Sequence, residues 1–437
     1  MKLPVNVEAE RALIGCIYLD SETYGNVKEI ISADDFSDKY NRELWKAEVK
    51  CILNGQLDLV TLKAELDKGT VLLGDEAIKI LVKIANELPT TEGAVRYAEI
   101  VANYAERRRK IIGIQEAAKK YSDLSDEPEN VDSFVQNVIL APTGRRKNIS
   151  FAEAFKDFSA NYTAKKAKGS FLSGIPTGFT ELDIALGGLE PGKMYVIGAR
   201  PGIGKSAYAL NIASNMAVNH HTILYFSLEM RTYEITNRIS AYMAKVDLRK
   251  IKTFRLSDDE LKKIEKFNKI IGENLIINDD SYQTVQTIML NVIQTNAELK
   301  RIGEKVECII IDHMHLLASD SKYTDRRHQI DEASRMCKLL AEKLECPVIV
   351  LSQLNRANTV RSDNVPHLSD LRESGAIEQD ADVVLLLHRE GYYSKTADQN
   401  QAEVIIAKNR DGMTGTLKYK WYSTITEWSE LPRRKLS

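Results

Sequence analysis

Cysteine is scarce in this chain. Five are scattered through 437 residues (Cys16, Cys51, Cys308, Cys337 and Cys346), odd in number and without a C-x-x-C pair. That excludes a disulfide framework and a zinc ribbon, and points to a reducing compartment with thiols as small buried hydrophobes. Long apolar runs are also missing. The longest early one, Ala12–Leu19, contains a glycine and stops at Asp20. It lacks the basic flank of a secretory signal and falls well short of the roughly 20 apolar residues that cross a membrane. The expectation is a soluble, cytoplasmic protein with no membrane partner. A charge bias is absent too, since 60 Lys and Arg against 62 Asp and Glu leave a net charge of −2. The total therefore does not advertise a nucleic-acid binder, although a basic surface can be local. What remains is a chain long enough for two or three domains and a large core.

The first part reads as helical. Ala9, Ala12, Leu13, Cys16 and Ile17 recur at helical spacing, as do Leu44, Ala47 and Cys51. Tyr97 to about Lys120 reads as one long helix, with Ile100, Tyr104, Ile111, Ile112, Ile114 and Ala118 among its apolar positions. A second run, Val131–Leu140, is placed to fold back on it as a helical hairpin. Composition then shifts at a basic, turn-rich break, Pro142–Lys147, and Ser150 to Glu153 spells a capping box that opens a new helix. Phe151, Phe155, Phe158 and Tyr162 fall on one face of it. Such a stripe needs a partner surface, either the same domain or a neighbouring subunit. The division that follows is residues 1–142 as a helical N-terminal domain, 143–170 as a linker with its helix, and 171–437 as a third part.

From about Phe171 the pattern alternates apolar strands with helices. The strand candidates are Met194–Gly198, Thr222–Ser227, Cys308–Ile311, Pro347–Leu351, Val383–Leu387 and Glu403–Ala407. Alternation of this kind predicts an α/β domain with a largely parallel sheet, whose ligands sit beyond the carboxyl ends of the strands. Directly after the first candidate comes ARPGIGKS, residues Ala199, Arg200, Pro201, Gly202, Ile203, Gly204, Lys205 and Ser206, and then a helical run, Ala207–Val218. Strand, glycine-rich turn and helix is the context of a phosphate-binding loop. The glycines let backbone N–H groups converge on phosphate oxygens, the helix N-terminus adds positive potential, Lys205 reaches the β- and γ-phosphates, and Ser206 holds Mg²⁺. Ala199 departs from the strict pattern, which has Gly there.

Other strand ends carry matching chemistry. Glu229 follows one strand, Asp312 another and Gln353 a third. Facing one phosphate loop, they would make a phosphoryl-transfer site. Asp312 would support Mg²⁺, Glu229 would deprotonate the attacking water and Gln353 would sense the γ-phosphate. Lys408 and Arg410 stand two apart on an extended segment and project to the same side. Two readings stay open for them, a solvated edge strand or an arginine finger reaching a nucleotide on an adjacent subunit.

Taken together the motifs resemble the DnaB-type replicative DNA helicases. They are GIPTGFTELD at Gly174–Asp183, the loop Ala199–Ser206, FSLEM at Phe226–Met230, IIID ending at Asp312, SQLNR at Ser352–Arg356, DLRESGAIEQDA at Asp370–Ala381 and AKNR at Ala407–Arg410. The N-terminal part joins them through Glu8–Gly15 and Asp58–Leu62, so the likeness spans nearly the whole chain. It implies an ATP- and Mg²⁺-dependent homohexamer with a RecA-like P-loop motor domain preceded by an all-α N-terminal domain and a linker helix. Such a ring encircles single-stranded DNA, moves 5′ to 3′, and works with a primase and a helicase loader. It also implies that Lys408 and Arg410 act in trans, and that Arg372, Glu373 and Gly375 contact DNA. The striped helix after Ser150 would then pack on the adjacent protomer. Arg326 and Arg327 are expected in a second DNA-contacting loop. Members often have Tyr where this chain has His313 and Gln where it has His315. The length, short for a cellular member, suggests a phage-encoded version. A RecA-type recombinase shares the motor and is the competing reading, while the absence of a zinc-ligand cluster disfavours a fused primase.

Overall fold

A computed structural model of the chain describes residues 3–68, 79, 81–84, 91–122, 131, 134–135, 138, 150–167, 172–318, 326–354, 364–371, 375–394 and 396–431. Two compact units divide it, Met1–Tyr162 and Thr163–Ser437.

The first unit is helical. Helices α1 (Val7–Leu19), α2 (Lys39–Leu53), α3 (Leu59–Leu66) and α4 (Ala94–Ser122) enclose a core that includes Leu13, Ile17, Phe36, Leu44, Trp45 and Leu62. Asn6, Asp38 and Asp58 cap the first three by accepting backbone N–H bonds in the opening turn. The long helix expected over 97–120 is present, but a different face of it is buried. Ala94, Ala98, Val101, Ala105, Gly113 and Ala117 pack inwards, while Ile112 and Ile114 are about half exposed. Small residues win that face because a neighbour comes close: a Cβ on Gly113 would collide with the side chain of Val138. Residue 138 belongs to the run expected to fold back on this helix, and Lys120 lies over the ring of Phe134 in the same run. Helix α5 (Phe151–Ala167) begins just after Ser150. The side chain of Glu153, the other half of the expected capping box, lies outside the described residues.

The second unit is built on one nine-stranded sheet in the order β3-β2-β4-β5-β1-β6-β7-β8-β9. The strands are β1 (Met194–Ala199), β2 (Ile223–Ser227), β3 (Leu275–Asn278), β4 (Cys308–Asp312), β5 (Val348–Gln353), β6 (Val383–His388), β7 (Gln401–Asn409), β8 (Gly415–Tyr422) and β9 (Glu427–Glu430). Pairing is parallel from β3 to β6 and antiparallel from β6 to β9. Helices cover both faces. On one, Tyr195 and Ile197 pack with Tyr208, Ile212 and Met216 of α7 (Lys205–Val218), which follows α6 (Thr180–Leu186). On the other, Val196, Ile309 and Val350 pack with Ile288 of α10 (Val285–Leu299) and Cys337 and Leu340 of α11 (Arg326–Leu344). Helices α8 (Thr232–Ala244), α9 (Asp258–Ile271) and α12 (Gly375–Asp380) also belong to the unit, with a short helix at Leu248–Lys252. Central parallel strands are buried on both faces, so their sequences read as unbroken apolar runs.

The six expected strands are present. β3, β8 and β9 were not expected: β3 is only four residues long, and β8 and β9 mix polar with apolar positions. In β8 only Leu417, Tyr419 and Trp421 are buried, alternating with exposed Thr416, Lys418 and Lys420. That is the pattern of a sheet with one solvated face.

Candidate nucleotide and metal site

The chain leaves β1 near the middle of the sheet and turns sharply before α7. Gly202 (φ +79°) and Gly204 (φ +111°) take backbone conformations that side chains resist, which is what the sharp turn requires. Its outward carbonyls are held from outside. Arg389 Nη1 donates to Ile203 O at 3.2 Å, and Trp428 Nε1 donates to Gly204 O at 3.2 Å. Space is tight as well: a Cβ on Gly202 would stand 2.8 Å from the Tyr392 hydroxyl. Ala199 is the last residue of β1 and fully buried, with its carbonyl accepting from Leu354 N at 3.0 Å. A small residue suffices there because Ala199 finishes a strand and does not turn. Lys205 and Ser206 open α7, so a bound anion would meet a helix N-terminus and an ammonium together. Burial lowers the Lys205 pKa, and the nearby Asp312 and Glu229 carboxylates oppose that shift.

Parallel register brings the other strand ends level with this loop. Ala199 pairs with Gln353, and Ser227 pairs with Asp312. Asp312 is 1% exposed. Tyr225 donates to its Oδ2 at 2.9 Å, and its Oδ1 has no hydrogen-bond partner among the described residues. A buried, half-satisfied carboxylate beside a phosphate loop is the donor set expected of a hard divalent cation. Glu229 lies just past β2, exposed, with Oε2 3.5 Å from His313 Nδ1. Gln353 ends β5 with its side chain exposed.

Lys408 and Arg410 do project to one side, and both are engaged within their own chain. Lys408 Nζ donates to the carbonyls of Glu378 (2.6 Å) and Ala381 (2.7 Å) at the C-terminal end of α12. Arg410 donates to Gln379 O and, at 3.0 Å, to Asp382 Oδ1. Lys408 is itself within β7, rather than after it. Arg326 and Arg327 are corrected in position: they are the first residues of α11, not loop residues. The helix extends a turn N-terminal to Ile330, the first residue of its apolar stripe. Arg327 is exposed, and the Arg326 side chain lies outside the described residues. So do Arg372 and Glu373, while Gly375 is exposed at the start of α12.

Sequence reasoning missed the residues that support the loop from behind. Tyr225 sits mid-strand, and its link to Asp312 needs the β2–β4 register. Arg389 and Trp428 lie more than 180 positions from the carbonyls they hold. Only the sheet order brings them there.

A phosphate loop at the centre of a mixed sheet, flanked by carboxylates at neighbouring strand ends, defines a RecA-like P-loop nucleotide-hydrolysing motor. Residues 174–430 match the DnaB-like helicase C terminal domain and residues 2–103 the DnaB-like helicase N terminal domain. "Replicative DNA helicase DnaC" of Bacillus subtilis (strain 168) is 33% identical over 99% of this chain and 96% of its own length. "Replicative DNA helicase DnaB" of Geobacillus stearothermophilus is 31% identical over the same shares. A solved structure titled "The Structure Of A DnaB-Like Replicative Helicase And Its Interactions With Primase" superposes with a TM-score of 0.67 at 29% identity. It covers 98% of this chain and 100% of that one. The chain belongs to the DnaB-like helicase family. It is a replicative DNA helicase driven by nucleotide hydrolysis, and nothing among these relatives supports the recombinase alternative.

Proposed function

We propose that the chain assembles as a homohexamer around single-stranded DNA and unwinds duplex 5′ to 3′, hydrolysing ATP with Mg²⁺ at the loop Ala199–Ser206. The observation that carries this reading is the open Oδ1 of buried Asp312, one strand end away from a half-buried lysine at a helix N-terminus. In this reading Lys205 and the loop N–H groups bind the phosphates, and Ser206 and Asp312 hold the cation. Bound there, Mg²⁺ would neutralise charge on the phosphate oxygens. Glu229 takes the proton of the attacking water, and Gln353 reports the γ-phosphate to the rest of the sheet. Lys408 and Arg410 complete the site of a neighbouring subunit, after leaving the carbonyls at the end of α12.

DNA contacts are proposed for Arg326, Arg327, Arg372, Glu373 and Gly375. The division 1–142, 143–170 and 171–437 is proposed as helical domain, linker and motor. The stripe of Phe151, Phe155, Phe158 and Tyr162, all more than half exposed, supports docking of α5 on an adjacent protomer. A primase and a loader are proposed partners, the first because the similar solved structure is described with primase. Opening duplex DNA costs about 1.4 kcal/mol per base-pair step, so unwinding must draw on hydrolysis.

The test pairs two variants. Lys205→Ala should lose nucleotide binding, hydrolysis and unwinding together. Arg410→Ala should keep ATP binding while hydrolysis falls on the order of 10³-fold. Normal hydrolysis by Arg410→Ala would remove the trans finger from the mechanism.

A further inference from the structure

Three side chains outside the phosphate loop converge on one point. Glu229, Asp312 and His313 each place a ligand atom within 4.8 Å of the other two. Asp312 and His313 are 1% and 7% exposed, whereas Glu229 approaches from the solvent side. The open Asp312 Oδ1 is a buried acceptor that no hydrogen bond from the described residues fills.

The spacing suits a small cation. Around a tetrahedral ion with ligands at about 2.1 Å, neighbouring ligand atoms stand about 3.4 Å apart. Glu229 Oε2 and His313 Nδ1 are already 3.5 Å apart. All three ligand atoms lie within 4.8 Å of one another, and the exposed Glu229 side chain can rotate without disturbing the core.

An imidazole changes which ion the cluster prefers. Mg²⁺ keeps to oxygen ligands and water, while nitrogen ligands favour zinc and other late first-row cations.

We propose that Glu229, Asp312 and His313 form a site for an imidazole-preferring divalent cation of the Zn²⁺ class, and that its occupancy arrests hydrolysis. The arrest follows from the ligands themselves. Glu229 bound to a cation is withdrawn from the attacking water, and Asp312 is withdrawn from Mg²⁺. The inference rests on the nucleotide-site reading of these two carboxylates, but the binding can be measured without nucleotide.

The probe is Zn²⁺ alone, titrated calorimetrically into the reduced, nucleotide-free full chain, with Co²⁺ absorption reporting tetrahedral nitrogen–oxygen coordination. One Zn²⁺ per chain is expected. His313→Phe and Glu229→Gln should each weaken it by about 100-fold or more, beyond the 10–100-fold typical of a ligand's supporting partner. His313 is buried, so the surface variant Glu229→Gln keeps the test valid if His313→Phe misfolds. Equal Zn²⁺ affinity in wild type and Glu229→Gln would overturn the site, as would a Co²⁺ spectrum showing only octahedral oxygen coordination. Mg²⁺-dependent hydrolysis by wild type and Lys205→Ala, run alongside, separates the two failures. If Lys205→Ala still hydrolyses, the nucleotide reading falls. If it is inactive while Zn²⁺ ignores Glu229 and His313, the metal inference falls alone.

Discussion

Each unit of the molecule buries a carboxylate that its surroundings do not fully satisfy, and the two differ in what is missing. Glu48, on α2 of the helical unit, is completely buried, and neither oxygen has a hydrogen-bond partner among the described residues. Burial alone pushes its pKa well above the ordinary carboxylate range. Asp312 in the motor unit is almost as buried, yet Tyr225 holds one of its oxygens and Lys205 senses its charge. Burying an unpaired charge costs several kcal/mol, so each group needs a remedy. For Glu48, burial favours the neutral, protonated form. Asp312, at a strand end beside a phosphate loop, has the surroundings of the cation site proposed above. An orphaned buried acceptor is therefore not by itself a site; its neighbours decide.

The sharpest way to break this contrast is to make the same isosteric change at both positions. Asp312→Asn should cut Mg²⁺-dependent hydrolysis by about 10²–10³-fold, by analogy with removing one positioned electrostatic group. Glu48→Gln should leave hydrolysis within about twofold, because Glu48 belongs to the core of the helical unit and, among the described residues, shares no partner with the nucleotide site. Steady-state ATPase assays on the two variants are enough. Comparable losses would mean that the two buried acids do not differ in the way argued.

A smaller effect separates two glycines of the motor unit. Gly204 (φ +111°) supports the phosphate loop, and a Cβ there would stand 3.1 Å from Trp428 Nε1. Gly192 (φ +77°) has open space around it. Gly192→Ala should cost only the backbone strain, about 1–2 kcal/mol. Gly204→Ala should cost roughly 1–3 kcal/mol more, because the indole must also yield. Denaturant midpoints measure the difference. Equal losses would show that Trp428 moves freely, and that the loop is not braced from behind.

The same divide governs how much the sequence disclosed. The positions of the loop, Glu229, Asp312 and Gln353 at strand ends were legible because each lies at or just past the end of a buried strand that reads as an apolar run. The alternating strand β8 and the short β3 were not, since half their positions are polar or their length is minimal. The inward face of α4 could not be read from its apolar positions, because close approach selects Ala and Gly over Ile, which hydrophobicity alone cannot foresee. His313 stood in view as the residue that follows Asp312. Its meeting with Glu229 depends on two strand ends lying side by side, which spacing along the chain does not encode.

The smallest predicted effect completes the comparison from the Glu48 side. Below about pH 4.3 the carboxyl is protonated both folded and unfolded, so its ionisation contributes nothing. As pH rises, the unfolded chain releases the proton while the folded chain, with its raised pKa, retains it. Stability then falls by up to about 1.4 kcal/mol per pH unit until the folded pKa is reached. An amide cannot ionise, so Glu48→Gln removes that slope while leaving a neutral orphan of the same shape. At neutral pH the variant should be more stable by on the order of 1 kcal/mol, and near pH 4 the advantage should vanish. Melting curves of the full chain from about pH 4 to about pH 8, following the helical unit's transition, measure the gap. Parallel curves for variant and wild type would mean that burial does not raise the Glu48 pKa in the folded chain.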